Sequence, residues 1–300
     1  MANIWEKNIT RVITGLILGF GVLFVMILGG LPLLLLVLTV LILGCKEYIK
    51  IFESRGFYPQ KFVLIIACAC FLYIVAIQRF DLMQLVLTIA TIFVFLDIIF
   101  RLRKPYIANI SSTILGIIYC GWLPCHVILL RNLGVENVNF FKFNDCIGLG
   151  LSVFLLLACV ATDVGGWYFG CNYGKHPLCP QISPKKTYEG AIYGTLFAVI
   201  ICTITGLFLP IPLWCAILGG FLISIFAQFG DLSESLLKRD AGMKDSGQIL
   251  PGHGGFLDRA DGYIFAAPIA YYYFNFFVLS HQEIVEPIIS FNSIKSLFGI

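Results

Sequence analysis

The chain is 300 residues long, 59% hydrophobic and only 12% charged, with a formal net charge of +3 and a mean hydropathy of +0.92. A soluble domain of this size carries about 25% charged residues, so a water-soluble globular fold is excluded and a single integral membrane domain, 1–300, is expected. The small net charge gives no reason to expect a nucleic-acid partner.

Nine apolar stretches follow one another along the chain, at 12–28, 31–44, 62–78, 82–100, 110–130, 147–162, 188–208, 212–229 and 261–279. A span needs about 20 mostly apolar residues, and the second and sixth stretches are short. Backbone groups inside lipid must be bonded within their own segment, so helices are predicted and not strands. The expected fold is an all-α polytopic membrane protein of about nine transmembrane helices. The N-terminus shows no short apolar run followed by a small-residue cleavage site, so no removable signal peptide is expected. That points to a bacterial plasma (inner) membrane.

With the N-terminus in the cytoplasm, sixteen of the twenty Lys and Arg fall on inside segments. Arg79, Arg131, Lys142 and Lys295 fall outside. Cytoplasmic segments carry the excess of Lys and Arg, so an N-in, C-out arrangement is predicted.

In chain order, the first candidates are structural. Asp97 and Arg101 are four apart and read as a local ion pair. His126 and Arg131 sit near the outer face. Most of the eleven cysteines lie in or beside apolar stretches and read as small hydrophobes. Cys171, His176 and Cys179 share one loop, but their spacing fits no common zinc pattern.

Two polar stretches interrupt the apolar pattern, both on the expected cytoplasmic side. The first, 162–190, contains "TDVGGWYFG" and "GKHPLCPQISPKKTYEG". Asp163 ends an apolar segment. Ser183 and Pro184 begin a turn, Thr187 is placed to cap the next helix, and Glu189 falls in its first turn. Lys185 and Lys186 are either topogenic or an anion site beside a helix N-terminus.

The second stretch, 230–261, begins "GDLSESLLKRD". If the preceding helix continues, Asp231, Ser235, Lys238 and Arg239 share one face. Lys244 follows, and then "PGHGG", which cannot be regular helix. His253 sits between glycines. Gly254 and Gly255 would let backbone N–H groups approach an anion closely. Asp258 and Asp261 are three apart, with Arg259 between them. Carboxylates next to spans are costly in lipid and mark polar cavities. Carboxylates that hold Mg²⁺ and cations that neutralise phosphate oxygens are the parts of phosphoryl or nucleotidyl transfer. The aromatic run 271–277 reads as packing or lipid-facing surface.

"SLLKRDAGMKDSGQILPGHGGFLDRAD", 235–261, resembles the signature of the phosphatidate cytidylyltransferase family, the CDP-diacylglycerol synthases, with no gap. The 162–190 stretch resembles that family's upstream conserved region, with Gly166 where the family usually has Ala. The resemblance places the motif-bearing catalytic region at about 146–280; the helices of about 1–145 carry little specific signal. It implies transfer of CMP from CTP to phosphatidate in a cytoplasm-facing polar cavity open to membrane lipid. It also implies Mg²⁺, with a second cation as an option, and it leaves a homodimer open. By resemblance, Asp231, Asp258 and Asp261 are metal ligands. Together with Lys238, Arg239, Lys244, His253 and Arg259 they form the catalytic set. Asp163, Ser183, Lys185, Lys186, Thr187, Glu189, Ser235, Gly254 and Gly255 are the substrate-binding set. The rivals are a CTP-dependent enzyme acting on another lipid, such as an isoprenoid alcohol or an ether lipid, and a transporter. A transporter would more naturally carry its charges on broken helices near mid-membrane.

Overall fold

The computed structural model describes residues 15, 17, 19–134, 147–247 and 254–279. His253 and Lys142 lie outside the described residues, as do the N-terminal charges and Lys295. Helix α1 is Gly19–Leu28, α2 Gly30–Glu53, α3 Lys61–Ala76 and α4 Met83–Arg101, the last entered through a 3₁₀ turn at Phe80–Leu82. Helices α5 (Tyr106–Gly116) and α6 (Leu123–Arg131) are joined through a π-helical stretch, Ile117–Trp122, into one span. After α7 (Ile147–Tyr173) come strands β1 (Pro177–Cys179) and β2 (Ser183–Thr187). Helices α8 (Tyr188–Gly206), α9 (Leu213–Asp240) and α10 (Leu257–Phe274) complete the bundle, and α10 runs on into a π-helical end at Asn275–Leu279.

Among the described residues, six spans are long and apolar enough to cross a membrane. Helices α1 and α3 are shorter apolar helices, and α10 carries Asp258, Arg259 and Asp261 in its first turns. These nine segments correspond to the nine expected, and the protein is an integral membrane protein. Three helices run further than their apolar stretches predict. The second segment reaches Glu53, the sixth Tyr173 and the eighth Asp240. The extra turns of α2 bury Glu47, Tyr48, Ile49 and Ile51. Those of α9 bury Gly230, Glu234 and Lys238. Tertiary packing therefore holds these turns of α2 and α9 helical past the apolar stretches.

Two apolar cores form, and α10 joins them. Its Leu257 and Ile264 pack with α1–α6, while Ala266, Ala267, Ala270, Tyr273 and Phe274 pack with α6–α9. Helices α7 and α8 come close enough that a Cβ on Gly194 would stand 2.8 Å from the Gly166 nitrogen and 2.9 Å from the Thr162 carbonyl oxygen. Small residues make this approach possible. Buried hydroxyls tie the same region together. Thr162 Oγ1 and Ser224 Oγ lie 2.8 Å apart, Ser224 donates to Thr195 Oγ1 at 3.2 Å, and Gln228 Nε2 donates to Thr195 at 2.8 Å.

The structural residues behave as read. Asp97 and Arg101 pair at 2.7 Å. Arg131 is buried and donates to the Met26 carbonyl at 2.8 Å. His126 is buried, with Nδ1 3.0 Å from the Trp122 carbonyl oxygen.

Candidate active site

The β1–β2 hairpin was not foreseen in an all-helical reading. It is a small antiparallel pair in which Pro177 stands opposite Thr187 and Cys179 opposite Ser183. Glu189 explains its position. The carboxylate accepts from the Lys175 and His176 backbone N–H groups at 3.1 and 3.2 Å and from His176 Nδ1 at 2.6 Å. Glu189 therefore ties the entry of the hairpin to the first turn of α8. Thr187 caps α8 as expected, accepting from the Gly190 N–H at 3.1 Å.

The hairpin, the C-terminal ends of α7 and α9 and the N-terminal ends of α8 and α10 surround a cleft of about 610 Å³. The two polar stretches of the sequence thus meet at one end of the bundle. Asp163 reaches the cleft from α7, and Lys185, Lys186 and Thr187 reach it from β2. Asp231 and Lys238 enter from α9, and Asp258, Arg259 and Asp261 from α10. Gly230 lets α10 lie close against α9, since an added Cβ there would strike the Asp261 carbonyl. That contact sets Asp231 beside Asp261.

Charges of both signs share this space. Lys186 pairs with Asp231. Asp163 lies in the field of Asp231, Lys186 and Arg259, and Asp261 in that of Asp231, Glu234 and Asp163. Ser235 donates to Asp231 across one turn at 3.5 Å.

Asp258 is engaged differently. Its Oδ1 accepts from Lys238 Nζ at 2.5 Å. Its Oδ2 takes the Ser246 N–H at 3.0 Å, the Ser246 hydroxyl at 2.9 Å and the Gly255 N–H at 2.8 Å. The Gly255 N–H thus meets this carboxylate and is not left for an anion. Gly254, at φ +79°, adopts the left-handed backbone that glycine permits. Lys238 also pairs with Glu234, which is fully buried. The result is a largely buried Glu234–Lys238–Asp258 triad in the cleft wall, with Lys238 and Asp258 on the lining and Glu234 behind them.

Other expected residues stand outside the cleft lining. Arg239 donates to the Ile182 carbonyl at 3.1 Å and to the Met243 carbonyl at 3.3 Å, pinning the hairpin to α9. Lys244 is exposed, and Ser183 lies in the hairpin. Three participants went unread, and a fourth, Asp245, stands in the signature without a predicted site role. Gln228 and Asp245 line the cleft. Glu234 and Glu47 are buried carboxylates. Glu234 had a signal, since it stands four residues before Lys238. Glu47 had one too, as a carboxylate in the buried stripe that includes Gly44, Tyr48 and Ile51.

A bundle of apolar helices that opens at one end into a cleft of carboxylates and cations is the form of an integral membrane enzyme working on phosphate groups beside lipid. The chain belongs to the cytidylyltransferase family, whose profile matches residues 9–277, and it is a nucleotidyltransferase. Among its relatives, the phosphatidate cytidylyltransferase of Synechocystis sp. is 35% identical over 286 residues, covering 89% of this chain and 95% of that protein. Phosphatidate cytidylyltransferase 4, chloroplastic, of Arabidopsis thaliana is 33% identical over 87% of this chain and 72% of its own length. The phosphatidate cytidylyltransferase of Bacillus subtilis is 31% identical over 87% and 96%.

Proposed function

We propose that this enzyme transfers CMP from CTP to phosphatidate, giving CDP-diacylglycerol and pyrophosphate. The observation that carries the proposal is the cleft, which gathers Lys185, Lys186 and Arg259 against Asp163, Asp231 and Asp261 at the end of a lipid-embedded bundle. Relatives named for this reaction align over most of the chain. Lys185 and Lys186, next to the N-terminus of α8, bind the triphosphate of CTP. Arg259 neutralises charge on the reacting phosphates. A phosphatidate oxygen attacks the α-phosphorus, and the bond from that phosphorus to the bridging oxygen breaks, releasing pyrophosphate. The attacking phosphate is already ionised near pH 7, so positioning and charge neutralisation suffice without a strong base.

The donor set suits Mg²⁺, which is held by one or two carboxylates together with substrate phosphates. Asp231 and Asp261, with Asp163 beside them, would hold it. Among the described residues no three His, Cys, Asp or Glu side chains are placed to cage an ion by themselves. Bound Mg²⁺ would offset negative charge on the phosphate oxygens. Asp258 Oδ2 is taken by the Ser246 and Gly255 donors, so its proposed role is to organise the loop, with Oδ1, beside Lys238, as its face toward such a set. Residues 146–280 form the proposed catalytic region. The cleft faces the cytoplasm of a bacterial plasma membrane, with the N-terminus inside, an orientation supported by the Lys and Arg asymmetry.

The test is purified protein with CTP, Mg²⁺ and a panel of phosphatidate, an isoprenoid alcohol and an ether-lipid phosphate. Formation of CDP-diacylglycerol from phosphatidate, several-fold faster than product from the others, is expected. Product only from another lipid, or none, would overturn the assignment.

A further inference from the structure

The N-terminal helices carry no signature motif, yet one of their side chains holds the signature region in place. Glu47, in the last turns of α2, is 4% exposed. Its Oε1 accepts from the Phe256 N–H at 3.1 Å. Its Oε2 accepts from the Leu257 N–H at 2.8 Å and from the Ser246 hydroxyl at 3.0 Å. Two of these donors are backbone groups at the start of α10, which no intrahelical partner can satisfy. The third, Ser246, lies on α9's side of the loop. The same Ser246 hydroxyl stands 2.9 Å from Asp258 Oδ2. One hydroxyl proton serves one acceptor at a time, so Ser246 is shared between a carboxylate of α2 and a carboxylate of α10.

Space enforces the arrangement. A Cβ on Gly247 would approach Glu47 Cδ to 2.9 Å, and one on Gly255 would approach Glu47 Oε1 to 2.6 Å. Glycines on both sides of the loop therefore leave room for this one carboxylate. Glu47 does not line the cleft.

We infer that Glu47 is a positioning residue for cytidylyl transfer. It fixes Ser246 and the first turn of α10, and through them Asp258, Arg259 and Asp261. This rests on the cleft being the transferase site proposed above. The position requires a carboxylate and not an amide. All three partners donate, so an amide NH₂ group would set a donor against a donor and leave a buried N–H or O–H unsatisfied.

The test compares wild type with Glu47→Gln and Ser246→Ala, in kcat, in KM for CTP, in thermal unfolding and in the rate of tryptic cleavage after Lys244. For Glu47→Gln the expected result is a kcat at least about tenfold lower, KM within about threefold of wild type, and a retained unfolding transition. Cleavage after Lys244 should be several-fold faster, with cleavage after Lys175 unchanged. A folded Glu47→Gln with wild-type turnover overturns the inference, and so does a change confined to KM. If Glu47→Gln does not fold, Ser246→Ala decides. It leaves both backbone bonds at α10 in place, so lowered turnover sustains the inference and wild-type turnover overturns it. Wild-type protein that forms no CDP-lipid is a separate failure, that of the proposed function. The Lys244 cleavage then still decides the role of Glu47, because unchanged cleavage in Glu47→Gln overturns it.

Discussion

Lys238 reads in the sequence as a phosphate ligand and stands in the structure between two buried carboxylates. Its Glu234 partner is fully buried, and Asp258 lies 2.5 Å away. Removing one member of a buried ion set leaves the others uncompensated, at a cost of about 3–5 kcal/mol. Lys238→Ala should therefore lower the thermal transition in detergent strongly. Lys186→Ala should instead leave the transition near wild type, because Lys186 is half-buried at the cleft wall, paired only with Asp231 among the ion pairs described. Its lesion should be a raised KM for CTP that depends on ionic strength. If Lys238→Ala unfolds like wild type and shows only a salt-dependent KM, the triad has been misread. Gly254 makes a second contrast. A side chain there meets both a positive φ and Asp258 Oδ2, at 2.7 Å from an added Cβ. Gly254→Val should cost turnover by displacing Asp258, although no functional group is lost; unchanged kinetics in folded protein would contradict this. The motif named these residues but could not say which touch substrate, because a cation beside carboxylates has the same letters whether it faces a ligand or an internal pair.

The helix ends were harder to read than the helices. Hydropathy locates a span because the bilayer fixes its length, but it falls silent where α2, α7 and α9 continue as helix past their apolar stretches. Those extra turns carry Glu47, Asp163, Asp231 and Lys238, so these side chains are set by helix, while Lys185 and Lys186 come from β2 in the first polar stretch. The hairpin was illegible for another reason. It is held by Glu189, a residue outside both strands, and by Arg239 from α9. The same elements carry a packing prediction. Gly194→Val would drive a branched side chain into the α7 backbone at Thr162 and Gly166, and overpacking of this kind costs about 1–3 kcal/mol. A lowered thermal transition with reduced activity is expected, and a wild-type transition would show that α7 and α8 are not in this close contact.

Across the whole molecule, nine segments, one polar end and the family signature were legible, since each follows from composition or from contiguous residues. The link between halves was not. Glu47 and Ser246 are 199 positions apart, and nothing local to either predicts the other. Orientation is a separate matter, resting on charge. The exposed Cys171 should react with an impermeant maleimide only after cells are permeabilised, and a cysteine replacing Arg79 should react in intact cells. The reverse pattern would invert the topology. The fate of the two ends of CTP in the cleft tests the transfer most directly. With phosphatidate, Mg²⁺ and CTP labelled at the α-phosphate, wild-type protein should move the label into lipid, while γ-label appears in pyrophosphate. Asp231→Asn, folded and extractable, should reduce both by about a hundredfold or more. Label that never enters lipid, or an Asp231→Asn protein that transfers it at the wild-type rate, would contradict the account.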